Sequence, residues 1–371
     1  MRVGLSTTTT EPGLTGGRMD GIGIYSQGLL EHLPQAGCEV LPFSFAPPGG
    51  AARLSVGRPM PHAFPLATLR DLALPQAVRE HMPVDVFHAT DYRIVRMDCP
   101  IVATLHDALP VAHPEWCNPR LRGLKNWLQA KAARKADLVI AHTQFAIREL
   151  VDCFGVDERR IRVVPCGVGE QWHAVPAPEG VAATLAEHGL RPGYFLFVGT
   201  LQPRKNVERL LAAYLALPAA VRAQRQLVIV GAAGARSDTL VAQLAGARQR
   251  GENVVWLSSL TGQRQLRDVY AAAGAFVFPS LYEGFGIPVV EAFAAGVPVI
   301  AANTTSLPEV TQGAALEIDP LSVPELSAAM LELARDEALR ARYRAAGRVR
   351  AAALTLAETA RRTADVYRSL L

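Results

Sequence analysis

Two glutamates, Glu283 and Glu291, stand eight residues apart on either side of a loop that contains glycine and proline. The apolar run at residues 275–278 before the loop is typical of a buried parallel strand. The segment behind it is typical of a helix ending at a glycine, and Pro288 suits the first helical turn. A strand, a glycine loop and a helix start offer backbone N–H groups and a positive dipole end. The spacing predicts an anionic ligand held between the two carboxylates.

Two adjacent cations follow another predicted strand, residues 194–198. The sequence Gly-Thr-Leu-Gln-Pro-Arg-Lys-Asn at residues 199–206 opens into a predicted helix at residues 207–217. Arg204 offers a forked donor and Lys205 a point charge, a combination that suits a diphosphate. A solvated basic turn is the alternative. Glutamates in the same predicted domain favour the anion site.

Gly21 and Gly23 lie between the first predicted strand and a helix. They fit either a glycine loop that approaches a ligand or a plain helix start. A dinucleotide-binding fingerprint would need a third glycine at position 26, where Ser26 stands. A nicotinamide-dependent oxidoreductase is therefore the least favoured enzyme class.

His106 closes the predicted strand 101–105 at its carboxyl end. A histidine there can bond a substrate hydroxyl or carry a proton. A core histidine bonded to a carbonyl is the alternative, and from the residues alone we favour it. Asp107 is next to His106, and Asp91 and Tyr92 follow the strand ending at His88; these three are weaker candidates for an acceptor site.

The predicted helix Arg120–Lys135 carries basic residues and no acidic ones. Trp127 and Leu128 are among its apolar positions. Such a helix could contact anionic lipid headgroups. A solvated face of an ordinary amphipathic helix is the alternative.

Short apolar strands alternate with helical patterns through most of the 371 residues, which predicts parallel sheets covered on both faces. The pattern breaks at residues 167–192, and we expect a linker near residues 167–185. Two Rossmann-like domains are expected at residues 1–170 and 171–350, with a shared cleft as the default site. A C-terminal helix at residues 351–371 is expected to pack back on the first domain.

The composition of the chain limits the kinds of ligand and partner that we expect. The net charge of +4 permits an anionic ligand or membrane surface without demanding nucleic acid. No apolar run predicts a transmembrane helix, the N-terminus turns polar too early for a signal peptide, and five scattered cysteines fit reduced thiols. We therefore expect a cytoplasmic protein. The chain lacks Asp-x-Asp, a phosphate-binding Gly-Lys-Ser/Thr loop and histidine-rich metal spacing, so we expect neither a metal nor a cofactor.

Taken together, these motifs resemble those of retaining glycosyltransferase family four, which has the GT-B fold. The resemblance rests on Glu283 to Glu291, the basic motif at residues 199–206, Gly-Val-Pro-Val-Ile at 296–300, Ser-Leu-Pro-Glu-Val at 306–310, Gly-Ile-Gly-Ile-Tyr at 21–25 and His106-Asp107. It covers essentially the whole chain. Within the family, the chain is similar to bacterial mannosyltransferases that assemble O-antigen or exopolysaccharide.

The resemblance implies transfer of a hexose, most simply mannose from GDP-mannose, from a nucleotide diphosphate sugar to a glycan or polyprenyl-linked glycan. It implies that Glu283 holds hydroxyls of the donor sugar, that Glu291 binds the ribose, and that Arg204 and Lys205 neutralise the diphosphate. His106 would lie near the reacting sugar. The implied donor-binding residues also include the glycine loop and helix start, namely Gly284, Phe285, Gly286, Ile287, Pro288, Val289, Gly21 and Gly23.

Two positions depart from the family pattern. Thr200 stands where many relatives carry an arginine, so Arg204 would supply that charge, and Pro165-Cys166-Gly167-Val168-Gly169 replaces Pro-Asn-Gly-Val-Asp at the hinge. The alternatives left open are a UDP-hexose donor, a nucleotide-sugar epimerase or hydrolase of the same architecture, and a sugar-binding module without activity. Peripheral contact with the inner face of the membrane is a further expectation for the basic helix.

Overall fold

A computed structural model of the chain describes all residues except 18, 48–49, 51–52, 75–78, 118–120 and 261. The chain forms two compact units. Unit 1 contains residues 1–115, 121–167 and 355–371 of the described chain, and unit 2 contains residues 116–117 and 168–354.

Unit 1 is built on a seven-stranded sheet in the order β3-β2-β1-β4-β5-β6-β7. All its strand pairs are parallel, so the carboxyl ends of β1, β4, β5 and β6 lie at one edge. Its strands are β1 (Arg2–Ser6), β2 (Glu39–Ser44), β3 (Arg58–Pro59), β4 (Val86–Ala89), β5 (Ile101–Thr104), β6 (Leu138–Ala141) and β7 (Ile161–Val163). Its helices are α1 (Pro12–Thr15), α2 (Gly21–His32), α3 (Phe64–Ala73), α4 (Leu109–Ala112), α5 (Arg122–Ala133), α6 (Gln144–Phe154) and, after unit 2, α16 (Leu356–Arg368).

Unit 2 repeats the plan with a six-stranded parallel sheet in the order β10-β9-β8-β11-β12-β13. Its strands are β8 (Phe195–Val198), β9 (Leu227–Val230), β10 (Val254–Leu257), β11 (Ala275–Phe278), β12 (Val299–Ala302) and β13 (Leu316–Ile318). Its helices are α7 (Pro178–His188), α8 (Val207–Leu215), α9 (Ala219–Gln224), α10 (Asp238–Gln249), α11 (Gln263–Ala271), α12 (Ile287–Ala294), α13 (Leu307–Thr311), α14 (Val323–Arg335) and α15 (Glu337–Ala352).

The central strands are buried on both faces, which is why they are continuous apolar runs in the sequence. In unit 1, α16 packs against α2, and the Tyr367 hydroxyl lies 2.6 Å from His88 Nδ1. The predicted α/β architecture with two parallel sheets is confirmed. The linker expected near residues 167–185 is partly wrong, because α7 begins at Pro178 within it.

Several elements were not predicted, among them α3, β3 and α10. The apolar positions of α10 are weakly periodic, and β3 is only two residues long. We find no comparable reason in the sequence of α3, which is rich in apolar residues. No helix in the described part of the chain is long and apolar enough to cross a membrane.

Candidate active site

Strand order explains why two distant motifs of unit 2 meet. β8 and β11 are neighbours in the sheet and run parallel. The loops that follow them, residues 199–206 and 279–286, therefore leave the same edge side by side. The backbone N–H of Leu281 donates to the carbonyl of Arg204 at 2.7 Å, which joins the two loops directly.

At this edge Glu283 lies between both cations of the basic motif. Lys205 Nζ is 2.6 Å from Glu283 Oε1, and Arg204 Nη1 is 3.1 Å from Glu283 Oε2. Burial alone would raise the pKa of the Glu283 carboxyl, but Lys205 and Arg204 outweigh burial and hold that pKa below its usual range. Two cations and one carboxylate leave a net charge of +1 on the three residues, which we name the Arg204–Lys205–Glu283 cluster.

The sequence alternative of a solvated basic turn is wrong for Lys205. Its side chain is only 9% exposed, and its ammonium lies 4.8 Å from the centroid of the Phe278 ring. A buried ammonium is tolerated when it has a counter-ion and an aromatic face beside it. The two predicted cations and Glu283 thus form one cluster.

Two residues that the sequence analysis did not single out shape these loops. Asn206 adopts a left-handed conformation with φ of 58°, and its amide donates to the carbonyls of Pro279 and Pro320 at 2.9 and 2.7 Å. The Ser306 hydroxyl lies 2.9 Å from the Glu283 carbonyl and 3.2 Å from that of Phe285. Both residues fall within quoted motifs, but nothing in the sequence shows which carbonyls they reach.

The loop enters α12 through Gly286, which has a φ of 102°. This left-handed backbone conformation favours glycine, and a Cβ at the position would also lie 2.7 Å from the end of the Leu307 side chain, which would have to shift. Pro288 stands in the first turn of α12, as predicted. The loop and helix start, residues 284–289, thus lie together at the edge that carries the Arg204–Lys205–Glu283 cluster.

Glu291 is buried in α12 and has a different environment from Glu283. It accepts a hydrogen bond from the Tyr270 hydroxyl at 3.0 Å. Burial raises the pKa of the Glu291 carboxyl to about 7, although the Tyr270 hydrogen bond opposes the shift. One of the two glutamates is therefore held ionised by cations, while the other is poised between its charged and neutral forms near neutral pH.

In unit 1, the strand order β1-β4-β5-β6 gathers a second group of side chains. His88 lies in β4, His106 follows β5, and His142 directly follows β6. His88 contacts the hydroxyls of Tyr367 and Thr104 at 2.6 and 2.7 Å. All three histidines are remote from one another in sequence but meet at the carboxyl edge of one sheet.

His106 and His142 form a pair, and the three contacts of their ring nitrogens show how many protons the pair needs. His106 Nε2 lies 3.0 Å from the carbonyl of Thr90, and His142 Nδ1 lies 2.9 Å from the carbonyl of Val164. The two remaining nitrogens are 3.0 Å apart. Carbonyls only accept, so three N–H groups are required, whereas two neutral imidazoles supply two. The pair makes all three hydrogen bonds only when it carries one additional proton.

Burial disfavours the protonated, charged form of these histidines. It lowers the pKa of His88 and of His142 to about 3 each. Burial also lowers the pKa of His106, but the Thr90 carbonyl and the carboxylates of Asp107, Asp91 and Asp20 oppose the shift. His106 is consequently the ring of the pair that takes up the additional proton first. The carbonyl-bonded histidine favoured from the sequence is present, but it belongs to a network rather than to an apolar core.

The glycines Gly21 and Gly23, also predicted as site residues in unit 1, have a local structural role. Gly21 begins α2, and Gly23 donates its N–H to the Asp20 carboxylate at 2.9 Å, so both form a capped helix start. A Cβ on Gly23 would lie 2.8 Å from the Thr9 carbonyl. The alternative of a helix start is thus present.

The three predicted acceptor residues lie close together. Asp91 forms an ion pair with Arg93, and the Tyr92 hydroxyl donates to the carbonyl of Asp107. The Asp107 carboxylate accepts a hydrogen bond from the N–H of Leu109, the first residue of α4, at 3.1 Å. In the described part of the chain, no group of three His, Cys, Asp or Glu side chains is placed to hold a metal ion.

Comparison with solved structures identifies the class of fold. Sucrose-phosphate synthase from Thermosynechococcus elongatus matches with a TM-score of 0.75 at 22% identity, over 100% of this chain and 99% of that one. The Anabaena protein Alr3699/HepE, solved with UDP and glucose, matches with a TM-score of 0.73 at 18% identity, over 100% of both chains. The fold is that of the GT-B glycosyltransferases.

Sequence comparison identifies the family. The family model "Glycosyltransferase Family 4" matches residues 19–172, and "Glycosyl transferases group 1" matches residues 186–350. The O-antigen chain mannosyltransferase B of Escherichia coli is 32% identical over 293 residues, which is 77% of this chain and 74% of that protein. The chain belongs to glycosyltransferase family 4, as its motifs predicted, and is a glycosyltransferase with mannosyltransferase relatives.

Proposed function

We propose that this glycosyltransferase moves mannose from GDP-mannose to a glycan or lipid-linked glycan, with retention at the anomeric carbon. The observation that carries the proposal is the Arg204–Lys205–Glu283 cluster, which leaves a net positive charge at the carboxyl edge of the unit 2 sheet. A diphosphate matches that charge. The choice of mannose is supported by the relative that is named as an O-antigen mannosyltransferase.

In this proposal the two glutamates hold opposite ends of the donor. Glu283, kept ionised by its cations, accepts hydrogen bonds from hydroxyls of the donor sugar. Glu291 bonds the ribose hydroxyls, and the N–H groups at the start of α12 meet the diphosphate. Neither glutamate transfers the proton. In unit 1, Gly21 and His106 are proposed to contact substrate, whereas the N–H of Gly23 is already donated to the Asp20 carboxylate.

The proposed reaction breaks the bond between the anomeric carbon and the diphosphate oxygen and forms a bond to the acceptor oxygen on the same face. The departing phosphate oxygen takes the acceptor's proton. Arg204 and Lys205 meet the charge that develops on the leaving group, and preorganised donors of this kind supply ~3–4 kcal/mol each. A nucleoside diphosphate is a good leaving group, so the proposal includes no divalent metal.

The test is a transfer assay with radiolabelled GDP-mannose, UDP-glucose and UDP-galactose, with and without EDTA. We expect mannose transfer that EDTA does not reduce, and a product whose anomeric configuration by NMR matches the donor. Glu283→Gln should abolish most turnover, with Glu208→Gln on α8 as the matched control. Near-normal turnover of Glu283→Gln at saturating donor would contradict the role given to Glu283.

A UDP-hexose donor is the second candidate. HepE, which has the same fold, was solved with UDP and glucose. Faster transfer from a UDP-hexose in the same assay would replace GDP-mannose as the donor. Release of free sugar, or interconversion of donor sugars without an acceptor, would instead indicate a hydrolase or an epimerase.

A further inference from the structure

Unit 2 contains a cavity at the edge of its sheet opposite the Arg204–Lys205–Glu283 cluster. Its volume is about 620 Å³, which is within the usual range for small-molecule sites. Its wall includes the C-terminal ends of α11 and α12, and Ala273 in the wall lies just before β11 begins. Because β11 runs from this edge to the edge that carries the cluster, the cavity is separate from the proposed donor site. We call it the α12–α15 cavity.

Close packing of α15 on α12 places two arginines at this cavity. A Cβ on Gly347 of α15 would lie 2.6 Å from the Phe293 ring of α12, so glycine lets the two helices approach. Arg344 and Arg348 are four residues apart on one face of α15, and both line the cavity. The Arg348 guanidinium lies against the end of α12, where a Cβ on Gly296 would be 2.7 Å from Arg348 Nη2.

A third arginine reaches the cavity from α11. Arg267 lines the cavity, and its Nη1 donates a hydrogen bond to the carbonyl of Gln171 at 2.8 Å. The Nε atom of Arg267 is buried and has no hydrogen-bond partner among the described residues. Buried polar atoms are normally hydrogen-bonded. This N–H can therefore donate to an acceptor atom of a ligand.

The charges around the cavity are unbalanced. Its wall contains three arginines and, among the described residues, no acidic side chain, which gives the wall a charge of +3. Arg344 forms an ion pair with Glu337 at 3.1 Å, whereas Arg267 and Arg348 have no carboxylate partner in the described part of the chain. A charge of +2 thus remains when Glu337 is included. Guanidinium groups gathered in this way match a phosphate group, which carries up to two negative charges.

Arginines near helix ends also have a plain structural role, because they can bond the last carbonyls of a helix. Among the described residues, no hydrogen bond joins the three side chains to a carbonyl in the last turn of α11 or α12; Arg267 bonds Gln171 and Arg344 bonds Glu337. The two helix dipoles place roughly −0.5 of an elementary charge each at this end. That is less than the charge of the arginines, so the cavity remains positive.

The rest of the wall is mainly apolar. Trp172, Val175 and Pro176 line it, together with alanines from the ends of α11 and α12. Val175 is 87% exposed, so it lies at the rim and a substitution there leaves the core unchanged. An apolar wall beside guanidinium groups can contact the carbon skeleton of an organic phosphate. Inorganic phosphate would leave that part of the cavity without contacts.

We propose that the α12–α15 cavity binds a small phosphate monoester, such as a sugar phosphate. Arg267, Arg344 and Arg348 donate hydrogen bonds to the phosphate oxygens, and Trp172 and Val175 contact the carbon skeleton. The proposal goes beyond the transfer reaction and does not depend on it, because none of the cavity's residues belongs to the proposed donor-binding loops.

The binding test is titration calorimetry of the full chain with mannose 1-phosphate, mannose 6-phosphate and glycerol 3-phosphate. We expect at least one of these monoesters to bind about tenfold or more tightly than inorganic phosphate, sulfate or mannose. Arg267→Gln and Arg348→Gln should each weaken that binding about tenfold, because each removes charge-assisted hydrogen bonds. Arg342→Gln is the matched control, because it removes the same charge from an exposed position of α15 outside the cavity.

A second pair of variants tests the cavity without touching an arginine. Val175→Glu should weaken monoester binding and Val175→Lys should strengthen it, each about threefold, which is the scale of interactions between exposed charges. Both effects should decrease as the salt concentration rises. Urea unfolding curves show that each variant remains folded.

Four results would overturn the proposal. The first is that the wild-type protein binds none of the three monoesters. The second is binding that Arg267→Gln, Arg348→Gln and both Val175 variants leave unchanged. Sulfate that binds as tightly as the monoesters would show an unselective anion surface. Displacement of the monoester by saturating GDP-mannose would place it in the donor site, whereas simultaneous binding of both is the expected result.

Discussion

In unit 2 a buried carboxylate lies 2.6 Å from one cation and 3.1 Å from another. In unit 1 the partners of buried His88 and His142 and of partly buried His106 include hydroxyls, carbonyls and a neighbouring imidazole. In the first arrangement the two cations keep the Glu283 carboxylate ionised at neutral pH. The second holds neutral rings whose protonation is resisted by burial. Unit 2 therefore suits an anion that is always charged, and unit 1 suits hydroxyl groups whose hydrogen bonds can rearrange.

Glu291 adds a third arrangement, a buried carboxyl with a neutral partner. Its folded pKa is raised, so the native state holds a proton that the unfolded chain has released. The folded pKa values of the histidines are lowered, so the unfolded chain binds protons that the native state refuses. The two units should consequently respond to pH in opposite directions between about pH 4.5 and 6.5.

The largest expected effect comes from removing one cation of the Arg204–Lys205–Glu283 cluster. Lys205→Met should lower kcat/KM about 10²- to 10³-fold, because in the proposed reaction Lys205 is a preorganised donor to the leaving group. It should also destabilise the protein by about 3–5 kcal/mol, because Glu283 loses its nearest counter-ion inside the protein. Steady-state kinetics and urea unfolding measure the two effects.

The double variant Lys205→Met/Glu283→Gln separates them. It removes the buried charge and should recover much of the stability, but none of the activity. Recovery of activity together with stability would show that the cluster is only structural.

The next largest effect concerns the pH dependence contributed by Glu291. Because its pKa rises from 4.5 to about 7, the free energy of unfolding should fall as pH rises through this window. The total fall is about 3 kcal/mol, from about 1.4 kcal/mol per pKa unit. Glu291→Gln, which still accepts from Tyr270, should lack this fall and be more stable than wild type at pH 8. Parallel curves for both proteins from pH 5 to 8 would disprove the raised pKa.

The smallest effect is expected from the histidine pair and has the opposite sign. Below the ordinary histidine pKa of 6.5, the unfolded chain takes up a proton that buried His142 does not, so stability is lost as pH falls. His142→Gln should remove up to about 1.4 kcal/mol of this loss per pH unit between pH 6.5 and 5.5. His173→Gln, in unit 2, provides a comparison. NMR titration of the His106 ring should show that it protonates before His142, and the reverse order would contradict the proton assignment.

Much of the site was predictable because its signals are local. Gly286 and Pro288 predict a loop and a helix start, because their backbone preferences act within a few residues. In the structure, Gly286 immediately precedes α12 and Pro288 lies in its first turn. Strand β11 matches its predicted bounds, residues 275–278, because a four-residue apolar run between Gly274 and Pro279 leaves little freedom. The linker prediction failed because alanine, glycine and proline in residues 167–192 obscure the amphipathic pattern of α7.

Other features depend on pairings that no local pattern contains. The basic motif and Glu283 are separated by 78 residues, and they meet because β8 and β11 are neighbours. The sequence contains both partners, but no local pattern shows that the side chains of Arg204 and Lys205 contact Glu283. The same limitation hid His142, whose relation to His106 depends on the adjacency of β5 and β6.

The sequence by itself determined the alternation of strands and helices, the family and the residue types of both candidate sites. These follow from hydrophobic periodicity, turn chemistry and short motifs, which are encoded locally. Only the tertiary structure decided that Glu283 is ionised between two cations and that burial raises the pKa of Glu291 to about 7. It also decided that His106 and His142 face each other, so that one additional proton would form a hydrogen bond between their rings. The protonation state of a side chain depends on its burial and on the charged or polar groups next to it. In this protein those neighbours come from distant parts of the chain, because strand order brings them together.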